Sequence, residues 1–142
     1  LIAYATWSGN TEEVAELIEG VLLKSDIDVT RYRIGTGPLP DVSEFDALII
    51  GSFTWDKGAT PDEVKDFVAE VGYKPPNVYV FGTGDTQFGG DALFCSAAVK
   101  LARFYESKYE TLKIEQSPRG AQEIDVINWT EGVIKQGSHY HE

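Results

Sequence analysis

The chain contains one cysteine, Cys95, and no methionine. A single thiol closes no internal disulfide and suits a reducing compartment, so the expected location is cytoplasmic. No apolar run approaches the ~20 residues that a membrane-spanning helix needs. Positive charge is scarce: 12 Lys and Arg face 23 Asp and Glu, for a formal net charge of −11. Such a surface disfavours nucleic acid and anionic membrane and favours a basic protein face. Two motifs of nucleotide chemistry are missing. There is no G-x-x-x-x-G-K run for a triphosphate, and Gly82-Thr83-Gly84 lacks the third glycine of a dinucleotide fingerprint. The only two histidines, His139 and His141, lie in a polar tail and read as a loose terminus rather than a metal site. The chain opens inside an apparent strand, so a few residues are expected to precede Leu1.

What is present alternates. Leu1 to Ala5 reads as a buried strand. Val14, Ala15, Leu17, Ile18, Val21 and Leu22 fall at helical spacing and predict a helix over about 11–25. Residues 28–34 read as a weaker, edge-type strand, and Ala47 to Ile50 as a strand covered on both faces. Thr60-Pro61-Asp62-Glu63 has the form of a capping box with proline first in the helix, and that helix is predicted to end at Gly72. Val78 to Phe81 is a fourth strand, 93–108 a helix, 112–115 a fifth strand and 123–135 a closing helix. At 142 residues this is one domain, 1–136, with residues 137–142 as a flexible tail.

Strand–helix alternation with right-handed crossovers predicts a three-layer α/β sandwich on a five-stranded parallel sheet. Order 2-1-3-4-5 fits five strands. It places the loops after strands 1, 3 and 4 on one rim beside the switch point, where ligands bind. Those loops are the most unusual segments of the chain. The first, Thr6-Trp7-Ser8-Gly9-Asn10-Thr11, joins a strand end to a helix start. It offers three hydroxyls, an amide and free backbone N–H groups, but no cation, since the first basic residue is Lys24. One helix cap needs a single side-chain oxygen, whereas this donor set suits a phosphate monoester. The second loop carries Trp55 and the third Phe88, two aromatics that can clamp a flat ring while the glycine-rich backbone of 82–90 meets its edge.

TWSGNT, then GSFTWDKG with TPDE, then FGTGDTQFGG resemble the three cofactor loops of flavodoxins, in order and spacing, over essentially the whole chain. About thirteen residues separate the last two helices, which resembles the short-chain class. The resemblance implies noncovalent FMN and one-electron transfer between redox partners, with no substrate turnover. It implies that Thr6, Trp7, Ser8, Gly9, Asn10 and Thr11 surround the phosphate. Phe53, Thr54, Trp55, Asp56, Lys57 and Gly58 form the second segment. In it Thr54 lies near the phosphate and ribityl chain, Trp55 stacks on the inner ring face, and the Asp56–Lys57 peptide faces ring nitrogen N5. Thr83, Gly84 and Asp85 meet the pyrimidine edge. Tyrosine usually covers the outer face; the matching position here is Phe88, with Phe94 second choice. Expected partners are basic-surfaced redox proteins, among them a donor of the ferredoxin–NADP reductase type, and the expected state is a monomer.

Other classes fit less well. A phosphoacceptor receiver needs acidic residues where Tyr4-Ala5-Thr6 and Gly51-Ser52 stand, and a small tyrosine phosphatase needs a Cys-x5-Arg loop after strand 1. An FMN-dependent quinone or NAD(P)H oxidoreductase, and a flavodoxin-like activator of a metalloenzyme, remain as alternatives.

Overall fold

The computed structural model describes residues 1–7, 9–54, 60–84, 95–116 and 118–138. Along the chain these form β1 (Ile2–Tyr4), α1 (Asn10–Lys24), β2 (Arg31–Arg33), a 3₁₀ turn (Val42–Glu44), β3 (Leu48–Phe53), α2 (Asp62–Val71), β4 (Val78–Gly84), α3 (Ser96–Tyr105), β5 (Leu112–Glu115) and α4 (Ala121–Ser138). The five strands are parallel and run β2-β1-β3-β4-β5, the order expected from the alternation.

Side-chain alternation along the strands builds the three layers. Ile2, Tyr4, Ile49, Tyr79 and Phe81 pack against Val14, Ile18 and Leu22 of α1 and Val126, Trp129 and Val133 of α4. Ala3, Ala5, Leu48, Ile50, Val78 and Val80 face Val64 and Phe67 of α2 and Ala98, Leu101 and Tyr105 of α3. Both sheet faces are therefore covered, which is why these strands read as near-continuous apolar runs. Trp129 anchors α4 by donating its indole N–H to the Glu110 carbonyl at 2.7 Å.

Several elements differ from the sequence expectations. β2 spans three residues because its partner β1 offers only three to pair with. β3 and β4 instead run past their apolar runs, pairing from Leu48↔Val78 to Phe53↔Thr83. Glycine misled the reading here. A Cβ on Gly51 would meet the Phe81 ring at 2.0 Å, and one on Gly82 would meet the Ala98 Cβ at 2.5 Å. These glycines serve close packing within strands, not turns. No capping box forms at α2: Pro61 is the cap residue, without a side-chain cap, and its carbonyl accepts from Val64 and Lys65. α3 ends at Tyr105 because Glu106 turns left-handed, at φ 52°. Phe104 is exposed under the Lys74 ammonium, 4.6 Å from its ring centroid. α4 runs through Gly137 and Ser138, which the reading assigned to the tail.

Candidate functional site

The topology makes β1 and β3 neighbours, with their crossovers leaving on opposite faces. Ala5 N–H donates to the Gly51 carbonyl at 3.0 Å, which holds the exit of β1 against the middle of β3. The chain then turns into α1. Thr6 is buried, and its Oγ1 accepts from Gly9 N–H at 3.0 Å. Gly9 has φ 95°, in the half of backbone space that a Cβ disfavours, and it caps α1. The first helical bond runs from Glu13 N–H to the Gly9 carbonyl. The N–H groups of Asn10, Thr11 and Glu12 therefore have no partner within the helix, and glycine has no side chain to accept from them. This is the N-terminus of a 15-residue helix, whose dipole favours an anion.

Thr11 lies one turn in and is 1% exposed. Its Oγ1 is 2.7 Å from Oγ1 of Thr83, 3% exposed near the end of β4. This buried contact spans 72 residues of sequence and joins the first rim segment to the third. Two hydroxyls bring two donor protons, and their mutual bond uses one. Among the described residues the other proton has no acceptor. The second rim segment is tied in as well: Thr54 Oγ1 accepts from Ala97 N–H at the start of α3, at 3.3 Å. Ser52 is fully buried and donates to the Phe53 carbonyl. Gly84 accepts from Gln116 N–H at 2.7 Å, and so joins β4 to the end of β5.

Thr6, Gly9, Asn10, Thr11, Phe53, Thr54, Thr83 and Gly84 thus share the C-terminal rim of the sheet around its switch point. Trp7 stands out from this rim, 73% exposed. Ser8, Trp55, Asp56, Lys57, Gly58, Asp85 and Phe88 lie outside the described residues, as does Phe94. The bond between Thr11 and Thr83 escaped the sequence reading, because no local pattern links two threonines so far apart.

Charge near the rim is arranged by arginines that the reading also passed over. Arg31 of β2 lies 3.4 Å from Glu16, 3.6 Å from Glu19 and 3.9 Å from Glu12, and Arg119 lies 3.3 Å from Glu13. Burial pushes the Tyr4 phenol above its usual pKa, with Glu12 adding to the shift. Among the described residues no group of three or more His, Cys, Asp or Glu could hold a metal. A cavity of about 670 Å³ opens at the opposite end of the sheet, beside Leu1, Ile27 and Val133. Its charged lining is Asp28, Glu44 and Asp46, which disfavours an anion there.

Fold and rim together define a class: an open parallel α/β protein whose first strand leads through a glycine turn into an uncapped helix N-terminus at the switch point. The comparisons carry this to a family. The family model described as Flavodoxin matches residues 2–115. Probable flavodoxin 2 of Bacillus subtilis (strain 168) is 33% identical over 138 residues, covering 91% of this chain and 89% of that protein. Oxidised Flavodoxin 2 from Bacillus cereus superposes with a TM-score of 0.83 at 30% identity, over 95% of this chain and 97% of that one. The flavodoxin of Fusobacterium nucleatum, solved bound to flavin mononucleotide, shares the fold at 18% identity with a TM-score of 0.76, over 95% and 96%. The chain belongs to the flavodoxin family.

Proposed function

We propose that this protein binds FMN noncovalently and serves as a one-electron carrier between redox proteins. The observation that carries the reading is the start of α1, where three N–H groups without a partner in the helix follow a glycine at φ 95° and the first turn carries Thr11, half of a hydroxyl pair with one proton to spare. A Cβ added to Gly9 would meet none of the described residues within 4 Å, its chain neighbours aside. This donor set fits a phosphate monoester: neutral, preorganised and able to make several charge-assisted bonds without a counter-cation. Family membership adds the flavin to the phosphate, and the Fusobacterium relative supports that choice.

When bound, FMN supplies a ring that accepts and releases electrons at potentials set by its surroundings. Thr6, Ser8, Gly9, Asn10 and Thr11 would hold its phosphate, and Thr54 would add a hydroxyl from the β3 end. By the family pattern Trp55 and Phe88 would shield the ring faces from water, Gly84 and Asp85 would meet its polar edge, and the Asp56–Lys57 peptide would offer a backbone carbonyl to N5. The net charge of −11 disfavours added electrons on the ring and steers the protein toward a basic partner surface. Exposed Trp7 adds apolar contact on the same rim. No substrate turnover is assigned to the isolated protein. Among the described residues no helix is long and apolar enough to cross a membrane.

The test is reconstitution. The apoprotein should take up FMN stoichiometrically, quench its fluorescence, and give two separated one-electron steps on redox titration. Steady NAD(P)H oxidation by the isolated protein would favour the oxidoreductase instead. Failure to bind FMN would end both readings.

A further inference from the structure

The buried hydroxyl pair has a proton to spare, and its position says where that proton goes. Thr83 lies in the sheet interior, paired with Phe53 of β3 on one side and Ile114 of β5 on the other. Strand alternation puts its side chain on the α1 face, with Tyr79 and Phe81. Neighbouring strands flank it on both sides, so it sits within the sheet rather than in the turn that leads into α1. Thr11 differs: it belongs to the first turn of α1, among the open N–H groups. A hydroxyl donates one proton, and a buried donor left without an acceptor is destabilising.

We propose that Thr83 is a positioning residue for the cofactor phosphate: its hydroxyl donates to Thr11 Oγ1 and so aims the Thr11 proton at a phosphate oxygen. This rests on the FMN reading. The relay does two things. It fixes the Thr11 hydroxyl rotor before the anion arrives, so less rotational freedom is lost on binding. It also polarises the Thr11 O–H, because a hydroxyl that accepts one bond donates the next more strongly.

Affinities for FMN and for riboflavin, which lacks the phosphate, separate this role from a structural one. Thr83→Val keeps the shape and removes the donor. It should weaken FMN by about tenfold, in the range of a hydrogen bond to a charged group. Riboflavin should change by less than about twofold. Thr83→Ser keeps the hydroxyl and should retain wild-type discrimination between the two flavins. Thr11→Val should also weaken FMN selectively, and adding Thr83→Val to it should cost nothing further, because the relay then has no second member. Equal weakening of both flavins by Thr83→Val, no weakening of either, or additive losses in the double variant would each overturn the proposal. If Thr83→Val does not fold, the comparison of Thr11→Val with Thr83→Ser decides: loss of the FMN preference in Thr83→Ser refutes the relay. If the wild-type apoprotein binds neither flavin, the FMN reading has failed by itself. Inorganic phosphate then serves as the probe. Phosphate should raise the melting temperature of the wild type more than that of Thr83→Val, and an equal rise in both would refute the relay.

Discussion

Replacing Gly9 by alanine tests the anion turn at its tightest point. Gly9 sits at φ 95° and ψ −7°, and an added Cβ would touch none of the described residues within 4 Å, its chain neighbours aside. Steric overlap with neighbours therefore contributes nothing, and the cost is conformational. A residue with a Cβ in left-handed space loses about 1–2 kcal/mol. Alanine also stiffens the unfolded chain, which returns about 0.4–1 kcal/mol. The net loss is about 1 kcal/mol, or about 2–4 °C in Tm for a domain of this size. Binding should suffer in addition. To relieve φ, the backbone must rotate the N–H that now donates to Thr6 Oγ1 at 3.0 Å, and with it the amides of the first helical turn. FMN affinity should fall by about 5–20-fold, equivalent to about 1–1.8 kcal/mol. Thermal unfolding of the apoprotein by circular dichroism gives the first number, and quenching of flavin fluorescence gives the second. Gly9→Asn is the control, because asparagine tolerates positive φ and makes a good helix cap. It should lose less than half as much in either assay. An alanine variant with unchanged Tm and unchanged affinity, or an asparagine variant as damaged as the alanine one, would refute the reasoning.

Two further outcomes are expected. Gly82→Ala places a Cβ 2.5 Å from the Ala98 Cβ and should destabilise by about 1–3 kcal/mol through overpacking of α3 on β4. Ala98→Gly should recover part of that loss, visible as a favourable coupling in a urea-denaturation double-mutant cycle. Alkaline pH should weaken the fold, because burial pushes the Cys95 thiol and the Tyr105 phenol both up to about 12, from 9.0 and 10.0. The unfolded chain releases these protons first, so their contribution is intact below pH 9 and is lost as pH rises from there toward 12. The urea midpoint should decline across that range, less steeply in Cys95→Ala, and a thiol reagent should label Cys95 only after unfolding.

The strand order could be read from the sequence because both sheet faces are buried and the strands announce themselves as apolar runs. The rim was located for the same reason, since one order brings three unusual loops together. Glycine set the limit of that reading. Gly51 and Gly82 look like punctuation but lie inside strands, where Phe81 and Ala98 leave no room for a Cβ. Phe104 and Tyr105 are adjacent apolar residues in the last turn of α3, yet one ring is exposed and the other buried. The Thr11–Thr83 contact had no sequence signal. A long-range bond between two small hydroxyls depends on strand register, and register is fixed by the whole sheet.

The same long-range logic explains how an acidic protein can hold a dianion. Glu12 and Glu13 occupy the first turn of α1, where they suit the helix dipole but oppose a bound anion. At roughly 8 Å and an effective dielectric of about 40, each opposes a dianion by about 2 kcal/mol. Arg31 draws Glu12, Glu16 and Glu19 toward β2, which lies at the sheet edge beyond β1, away from β3 and β4. Arg119 engages Glu13 from the β5 side. Exposed pairs of this kind add little stability. Their consequence is geometric: these carboxylates are drawn to the two sides of the rim, and among the described residues the turn between them presents backbone N–H and threonine hydroxyl. The site can then hold a phosphate with neutral donors while the rest of the surface keeps the negative charge that disfavours added electrons on a bound ring.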